Sequence, residues 1–385
     1  MKIDVIAGTI NSVIGFRLDM MRAFIARGHS VVAVSGLEKP EMLPTLARNG
    51  IGFREIRVDR KSVNPLKEFA LVRELKRLFA AEKFDAVIAF TPKVATYAAI
   101  AAKLSGVRKR VAVYTGLGFA FTAQSFAGRL LSVPFRFVFG LGMRCATNVL
   151  FQNPDDMLLA QNCGMSPMSK NALMNGSGVN LQKFPFSPPP EGGIGFVFVG
   201  RLIRHKGVCE FIAAAQKIKK KHPQVKFTML GAPDKNPSSI SQADFEKLKS
   251  DGGIECAGFV SNVSDYVSKN SVAVLPSYRE GCPRSMLEAM SIGRALILAD
   301  SVGTRVPIVL TQKGRAQQAA GEAVMEGENG FLVRVRDSDA LAEAMERFVK
   351  NPDLIVSMGK RSREIAEEKF DVDKVNAFVL SIIEA

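Results

Sequence analysis

Short apolar runs alternate with stretches of helical periodicity along the first 180 residues, stop at a proline-rich segment, and then resume in the same order. Strands are expected over 2–7, 30–34, 53–56, 85–90 and 110–114, with helices over 16–27, 42–48, 65–81 and 94–104 between them. Each run is short, β-branched or aromatic, the pattern of a strand buried in a sheet. Repetition of strand and helix implies a parallel, doubly wound α/β sheet. Residues 187–193, Ser-Pro-Pro-Pro-Glu-Gly-Gly, read as a linker that is stiff at its proline end. Beyond it strands are expected over 194–199, 225–230, 254–258, 271–275 and 295–299, helices over 209–220 and 284–292, and a helical final 50 residues. At 385 residues the chain exceeds one ordinary core and suffices for two domains. The expected architecture is two Rossmann-like domains, 1–186 and 194–365, whose strand ends face each other across a cleft.

The formal charge of +15 is concentrated in the first half, where residues 1–190 hold 25 Lys and Arg against 12 Asp and Glu. No acidic residue lies between Asp85 and Asp155, while Lys93, Lys103, Arg108, Lys109, Arg110, Arg129, Arg136 and Arg144 fall inside. Phe119, Phe121, Phe126, Phe135, Phe137 and Phe139 interleave with the later arginines. Such a stretch suits a surface that meets anionic lipid headgroups; a core helix with a solvated basic face is the plainer alternative. Zinc-finger spacing and aromatic RNA-reading motifs are both missing, so nucleic acid is not the expected partner. Five scattered cysteines, with no C-x-x-C spacing, point to free thiols in a reducing compartment. The amino terminus lacks a signal-peptide apolar core, and no 18-residue uncharged apolar run occurs, so the expected location is cytoplasmic, peripheral to the membrane's inner face.

Two motifs sit where apolar runs end. Gly200-Arg201-Leu202-Ile203-Arg204-His205-Lys206-Gly207 follows the run at 194–199, and Glu280-Gly281-Cys282-Pro283-Arg284-Ser285-Met286-Leu287-Glu288 follows the run at 271–275. Ligands of open α/β sheets bind outside the carboxyl ends of strands. One exit supplies two cations; the other supplies a carboxylate and a helix start carrying a second carboxylate. That set suits a nucleotide-sugar, with charge for its pyrophosphate and acceptors for its hydroxyls. Taken singly, Lys206 reads as a surface lysine and Glu288 as a solvated helix residue; the order and context favour the site. Cys282 reads as a turn residue with no base beside it. His29, His205 and His222 are far apart in sequence, so no metal site and no cofactor is suggested.

Gly-Arg-Leu-x-x-x-Lys-Gly at 200–207 and Glu-x7-Glu at 280–288 within Leu-Pro-Ser-Tyr-x-Glu-Gly resemble the retaining glycosyltransferases of the GT-B fold, family 4. Further matches are Thr115-Gly116-Leu117-Gly118 with Phe121-Thr122, Phe151-Gln152-Asn153-Pro154-Asp155-Asp156, Asn175-Gly176-Ser177-Gly178-Val179-Asn180 and Glu328-Asn329-Gly330-Phe331-Leu332-Val333. The first two resemble the bacterial branch that extends lipid-linked oligosaccharides for glycoproteins, capsule or O-antigen. The resemblance implies that Arg201 and Lys206 bind the donor diphosphate and stabilise the departing nucleotide, a role suited to fixed cations aimed at developing charge. Glu280 is implied beside the donor sugar, with Gly281, Cys282 and Pro283 forming the turn around its hydroxyls. Arg284 and Ser285 open a helix whose positive end faces phosphate, Glu288 accepts from the ribose hydroxyls, and Phe259 and Val260 line the base. It also implies metal independence, a UDP-sugar donor, a polyprenyl-diphosphate-linked saccharide as acceptor, and a terminal helix, 366–385, that crosses back to the first domain.

Three departures from the family pattern stand out. The loop that relatives build from paired glycines reads Ala7-Gly8-Thr9-Ile10-Asn11-Ser12-Val13-Ile14-Gly15; Gly15 and Arg17 follow as acceptor-site candidates, with Arg17 equally readable as a helix-surface residue. A histidine expected after the strand ending near 114 is replaced by Thr115-Gly116, so no side-chain base is assigned. Sixteen residues, 306–321, interrupt the pattern between Gly303 and Glu328-Asn329-Gly330, as a loop or short helix that is either a contact element or a tolerated insertion. Two rival functions stay open: a nucleotide-sugar epimerase on the same fold, and a non-enzymatic membrane adaptor using the basic face alone.

Overall fold

The computed structural model describes the chain except Arg60, Lys61, Val63, 119–125 and Lys235, and omits the side chains of 126–132. Phe119, Phe121, Thr122, Phe126 and Arg129 therefore lie outside what can be described. The chain forms two compact units, Met1–Ser177 with Val372–Ala385, and Gly178–Asp371.

In the first unit the elements run β1 (Lys2–Ile6), α1 (Ile10–Ala26), β2 (Ser30–Ser35), α2 (Leu43–Arg48), β3 (Gly52–Glu55), α3 (Pro65–Glu82), β4 (Ala86–Phe90), α4 (Pro92–Leu104), β5 (Lys109–Tyr114), α5 (Phe126–Cys145), β6 (Asn148–Phe151), α6 (Pro154–Asn162) and β7 (Asn171–Leu173). Their strands make a seven-stranded parallel sheet in the order β3-β2-β1-β4-β5-β6-β7. Side chains alternate across it. Ile3, Val5, Ile88, Val111 and Val113 point to a layer built with α1, whereas Ile6, Val87, Ala89 and Ala112 pack with α3, α4 and α5.

The second unit runs β8 (Gly195–Val199), α7 (Val208–Lys221), β9 (Lys226–Leu230), α8 (Gln242–Ser250), β10 (Glu255–Gly258), α9 (Val263–Ser268), β11 (Val272–Leu275), α10 (Arg284–Ile292), β12 (Ala295–Ala299), α11 (Gln312–Ala320), β13 (Val324–Glu326), β14 (Gly330–Val333), α12 (Ser338–Lys350) and α13 (Asp353–Ile365). Its sheet order is β10-β9-β8-β11-β12-β14-β13, with only β13 antiparallel among the described strands. The chain then returns: α14 (Val372–Glu384) packs Val375, Val379, Leu380 and Ile383 into the α1 layer of the first unit. Val179 N–H donates to Phe370 O at 2.7 Å, so the outgoing and returning strands of chain run side by side.

One sequence expectation is corrected, and two segments singled out in the sequence find their places. The first helix begins at Ile10 rather than 16, because the Thr9 hydroxyl accepts from Ser12 N–H at 3.0 Å and caps it. Gly15 thus sits inside α1, and most of the presumed glycine loop is helix. The 306–321 excursion is α11 and its flanks. Thr311 caps α11, a Cβ on Gly314 would lie 1.8 Å from Glu326 O, and Gln318 donates to both oxygens of Asp300. The Thr-Gly-Leu-Gly and Phe-Gln-Asn-Pro-Asp-Asp segments hold each other: Asn153 caps α6, and Asp156 accepts from the Asn153 amide at 2.9 Å and from Leu117 N–H at 3.1 Å.

Asp4 is an anomaly in this core. It lies mid-strand on β1, fully buried, and neither carboxylate oxygen has a partner among the described residues. Burial raises its pKa well above the usual carboxylate value, with the charge of Glu82 adding to the effect. The sign follows from linkage. As pH climbs past about 4 the unfolded chain releases this proton while the native state keeps it, so stability falls by up to about 1.4 kcal/mol per pH unit until the folded-state value is reached. Asp4→Asn removes that slope. The expected result is a higher thermal midpoint than wild type at pH 7 and a smaller gain at pH 4. Parallel midpoint-versus-pH profiles for the two proteins would refute the account.

Candidate active site

The two motifs meet at the carboxyl ends of β8 and β11. After β8 the chain makes a short 3-10 turn, Arg204–Lys206, and enters α7 through Gly207 at φ 75°. A Cβ there would fall 2.2 Å from Pro276 O, so only glycine lets this loop press against the end of β11. Two backbone contacts stitch the loops together: Tyr278 N–H donates to His205 O at 2.9 Å, and Glu280 N–H donates to Val302 O at 2.9 Å. The consequence is that Lys206 Nζ donates to Glu280 Oε1 at 2.5 Å across 74 residues of sequence. Both side chains are largely buried, so water screens the pair little. Ser277 Oγ donates to the same Oε1 at 2.7 Å.

Four residues downstream of Glu280, α10 begins without a side-chain cap. Arg284 Nε pairs with Glu288 Oε1 at 3.0 Å one turn along. Burial raises the Glu288 carboxyl above its usual range, against the pull of Arg284. Ser285 Oγ donates to Val199 O at 3.1 Å, which ties the start of α10 to the end of β8. Its hydroxyl is thus engaged with the backbone. Pro283 is buried in the turn. The Cys282 thiol is pushed up to about 12 by burial and by Glu280, so it stays protonated at neutral pH and is no nucleophile.

Arg201 is placed differently. Its side chain is 63% exposed and its nearest acid, Asp234, stands 4.0 Å away. It lines a cavity of about 370 Å³ with Val199, Gly200, Asp234, Phe259 and Val260. Phe259 is 88% exposed, an open aromatic face beside that cavity. The sequence-predicted residues of the second unit therefore assemble as a buried Lys206–Glu280 pair, an Arg284–Glu288 pair, and an open cavity holding Arg201, Phe259 and Val260. In the first unit, Arg17 is buried with its guanidinium 3.8 Å from the centre of the Phe90 ring, which corrects the helix-surface reading.

Sequence reasoning missed the supports. Ser277, Ser301 and Thr304 are buried, and the last two donate to Ser277 O at 2.7 and 3.2 Å. Tyr278 donates its hydroxyl to Glu210 at 2.6 Å while Arg336 lies over its ring. The Pro-Ser-Tyr stretch ahead of Glu280 was the available signal.

Two largely parallel α/β sheets of seven strands each, with structural neighbours of the same architecture, give the chain the GT-B fold. A family profile described as glycosyl transferases group 1 matches residues 193–351, and one described as glycosyl transferase 4-like matches 10–153. The chain belongs to this group 1, GT4-like glycosyltransferase family. It is 26% identical over 383 residues to the Campylobacter jejuni N,N'-diacetylbacillosaminyl-diphospho-undecaprenol alpha-1,3-N-acetylgalactosaminyltransferase, covering 95% of this chain and 94% of that one. It is 25% identical to the Escherichia coli UDP-Gal:alpha-D-GlcNAc-diphosphoundecaprenol alpha-1,3-galactosyltransferase, covering 89% and 83%. Among solved structures, Anabaena HepE in complex with UDP and glucose superposes with a TM-score of 0.72 at 18% identity, covering 100% of this chain and 99% of that one.

Proposed function

We propose that this glycosyltransferase moves a hexosyl unit from a UDP-sugar, with retention of configuration and without a metal, to a saccharide carried on a polyprenyl diphosphate. The observation that carries the reading is the buried Lys206–Glu280 pair, reached from the exits of β8 and β11, together with the cavity of Arg201 and Phe259 that begins at the end of β8. The two bacterial relatives, which by name act on undecaprenyl-diphosphate-linked sugars, support the acceptor class.

The sugar C1–O bond to the diphosphate breaks, the acceptor oxygen bonds to C1, and the acceptor proton passes to the departing phosphate oxygen. Lys206 and Arg201 neutralise that leaving group. Glu280 and the turn Gly281–Cys282–Pro283 take the sugar hydroxyls, Glu288 takes the ribose, and Phe259 and Val260 take the base. Arg284, Ser285 and the first turn of α10 face phosphate. Gly15 and Arg17 serve the acceptor.

A peripheral membrane contact suits such an acceptor. On α5, Val133, Phe137 and Leu141 are exposed at helical spacing, with Arg136 and Arg144 nearby. No described helix is long and apolar enough to cross a membrane.

One assay tests the reading. UDP-glucose, UDP-galactose and their N-acetylhexosamine counterparts are offered with undecaprenyl-diphospho-N-acetylglucosamine in vesicles, and UDP release is measured. One donor should turn over, faster in phosphatidylglycerol than in phosphatidylcholine. Calorimetry should show UDP bound more tightly than GDP. Sugar release from donor alone would favour an epimerase-like or hydrolytic site, and no binding of either nucleotide would return the basic face to first place.

A further inference from the structure

The contacts on Glu280 all fall on one oxygen. Oε1 accepts from Lys206 Nζ at 2.5 Å and from Ser277 Oγ at 2.7 Å, and Oε2 takes no hydrogen bond among the described residues. Ser277 has one hydroxyl proton and three acceptors in reach: Glu280 Oε1, His205 O at 3.0 Å and Arg279 O at 3.4 Å. The carboxylate is the shortest and the only charged one, so it takes the proton. Ser277 cannot drift. It is fully buried, and its carbonyl is gripped by the Ser301 and Thr304 hydroxyls, both from the loop after β12.

We propose that Ser277 is a positioning residue for Glu280: its hydroxyl and the Lys206 ammonium clamp Oε1 from two sides, which turns Oε2 outward as the acceptor for a hydroxyl of the donor sugar. An ion pair with a lysine alone is a weak orienter, because an ammonium is a point charge that tolerates many carboxylate rotations. A second, directional donor removes that freedom. The hydroxyls of Ser301 and Thr304 thus fix the Ser277 main chain from the loop after β12, and the Ser277 hydroxyl in turn fixes the carboxylate. This role rests on the reading that Glu280 faces the donor sugar.

The test is a double-mutant cycle with the donor–acceptor pair that turns over in the screen above, alongside calorimetry with UDP itself. The proteins are wild type, Ser277→Ala, Ser277→Thr, Glu280→Gln and the combined Ser277→Ala, Glu280→Gln variant. A lost hydrogen bond to a charged group corresponds to a fall in turnover of about 10- to 100-fold for Ser277→Ala. UDP affinity should stay within about twofold of wild type, because the nucleotide does not touch Glu280. Ser277→Thr, which keeps the hydroxyl, should recover most of the loss. On the Glu280→Gln background Ser277→Ala should cost little more. An equal loss on both backgrounds, or weakened UDP binding in a folded Ser277→Ala protein, would show a merely structural serine. If Ser277→Ala loses its thermal transition, Ser277→Cys, similar in size and a weak donor, takes its place in the same comparison. A wild type that binds no UDP removes the donor site itself, and this role with it, an outcome distinguishable from the others because the variants then play no part.

Discussion

Lys206→Ala should lower UDP affinity by about 1.5–3 kcal/mol, the range for losing a hydrogen bond to a charged partner, and lower turnover by about 100- to 1000-fold. Two effects add. In the proposed mechanism the diphosphate loses a cation that is already fixed in place, and Glu280 loses its counter-ion in a largely buried position. A carboxylate left with Ser277 alone is costly in such surroundings. Arg201→Ala makes the comparison informative: that side chain is mostly exposed and only loosely paired with Asp234, so it must be ordered by the ligand. Ordering a rotamer-rich side chain costs roughly 0.5–1.5 kcal/mol, so its removal should weaken binding less. Titration calorimetry with UDP decides it. Equal losses for both variants would mean that Lys206 is not the preorganised member of the pair.

Gly303→Ala should cost the second unit several kcal/mol and disable the donor site, although residue 303 touches no ligand in the proposed mechanism. Gly303 sits at φ +73°, and a Cβ there would be 2.0 Å from Glu280 O and 2.5 Å from Gly281 O. The left-handed backbone conformation costs an alanine on the order of 1 kcal/mol. The larger penalty is steric: both obstacles are main-chain oxygens, so the Glu280 turn must retreat. Retreat breaks the Glu280 N–H to Val302 O bond and disturbs the grip of Ser301 and Thr304 on Ser277. About 3 kcal/mol in a unit of this size corresponds to a fall in thermal midpoint of roughly 6–12 °C. Gly15→Ala is the control, because a Cβ at that position in α1 meets nothing within 4 Å. Calorimetric scans showing the two alanine variants equally stable would overturn the steric argument.

Much of the second unit's candidate site could be placed from the sequence because its residues sit at strand exits. A run such as 194–199 announces its own end, and the residues after it, Arg201 and Lys206, inherit the strand's carboxyl edge. The pairing of Lys206 with Glu280 was readable only as a shared region; the contact itself depends on Gly207 clearing Pro276, a three-dimensional condition with no local periodicity. Arg17 shows the opposite failure. The helix carrying it was placed six residues late, since Thr9 is a capping residue without an acidic partner three positions on, and an arginine is expected at the surface. Its stacking over Phe90 links positions 73 residues apart that no short pattern connects. Ser277 was quoted within its motif yet given no role, because a serine's partner is invisible until the chain around it has folded.

The return of α14 to the first unit has a consequence for how the molecule is made. A ribosome finishes residue 177 long before residue 372 emerges, yet the layer holding Ile3, Val5 and Phe24 is closed by Val375, Val379, Leu380 and Ile383. At about 5–20 residues per second the interval is roughly 10–40 s. Throughout it the first-born half presents an uncovered apolar face, and the second unit can mature before its elder neighbour is sealed. Closure of that layer therefore waits on residues translated after the whole second unit, and the beginning of the chain is sealed later than the middle.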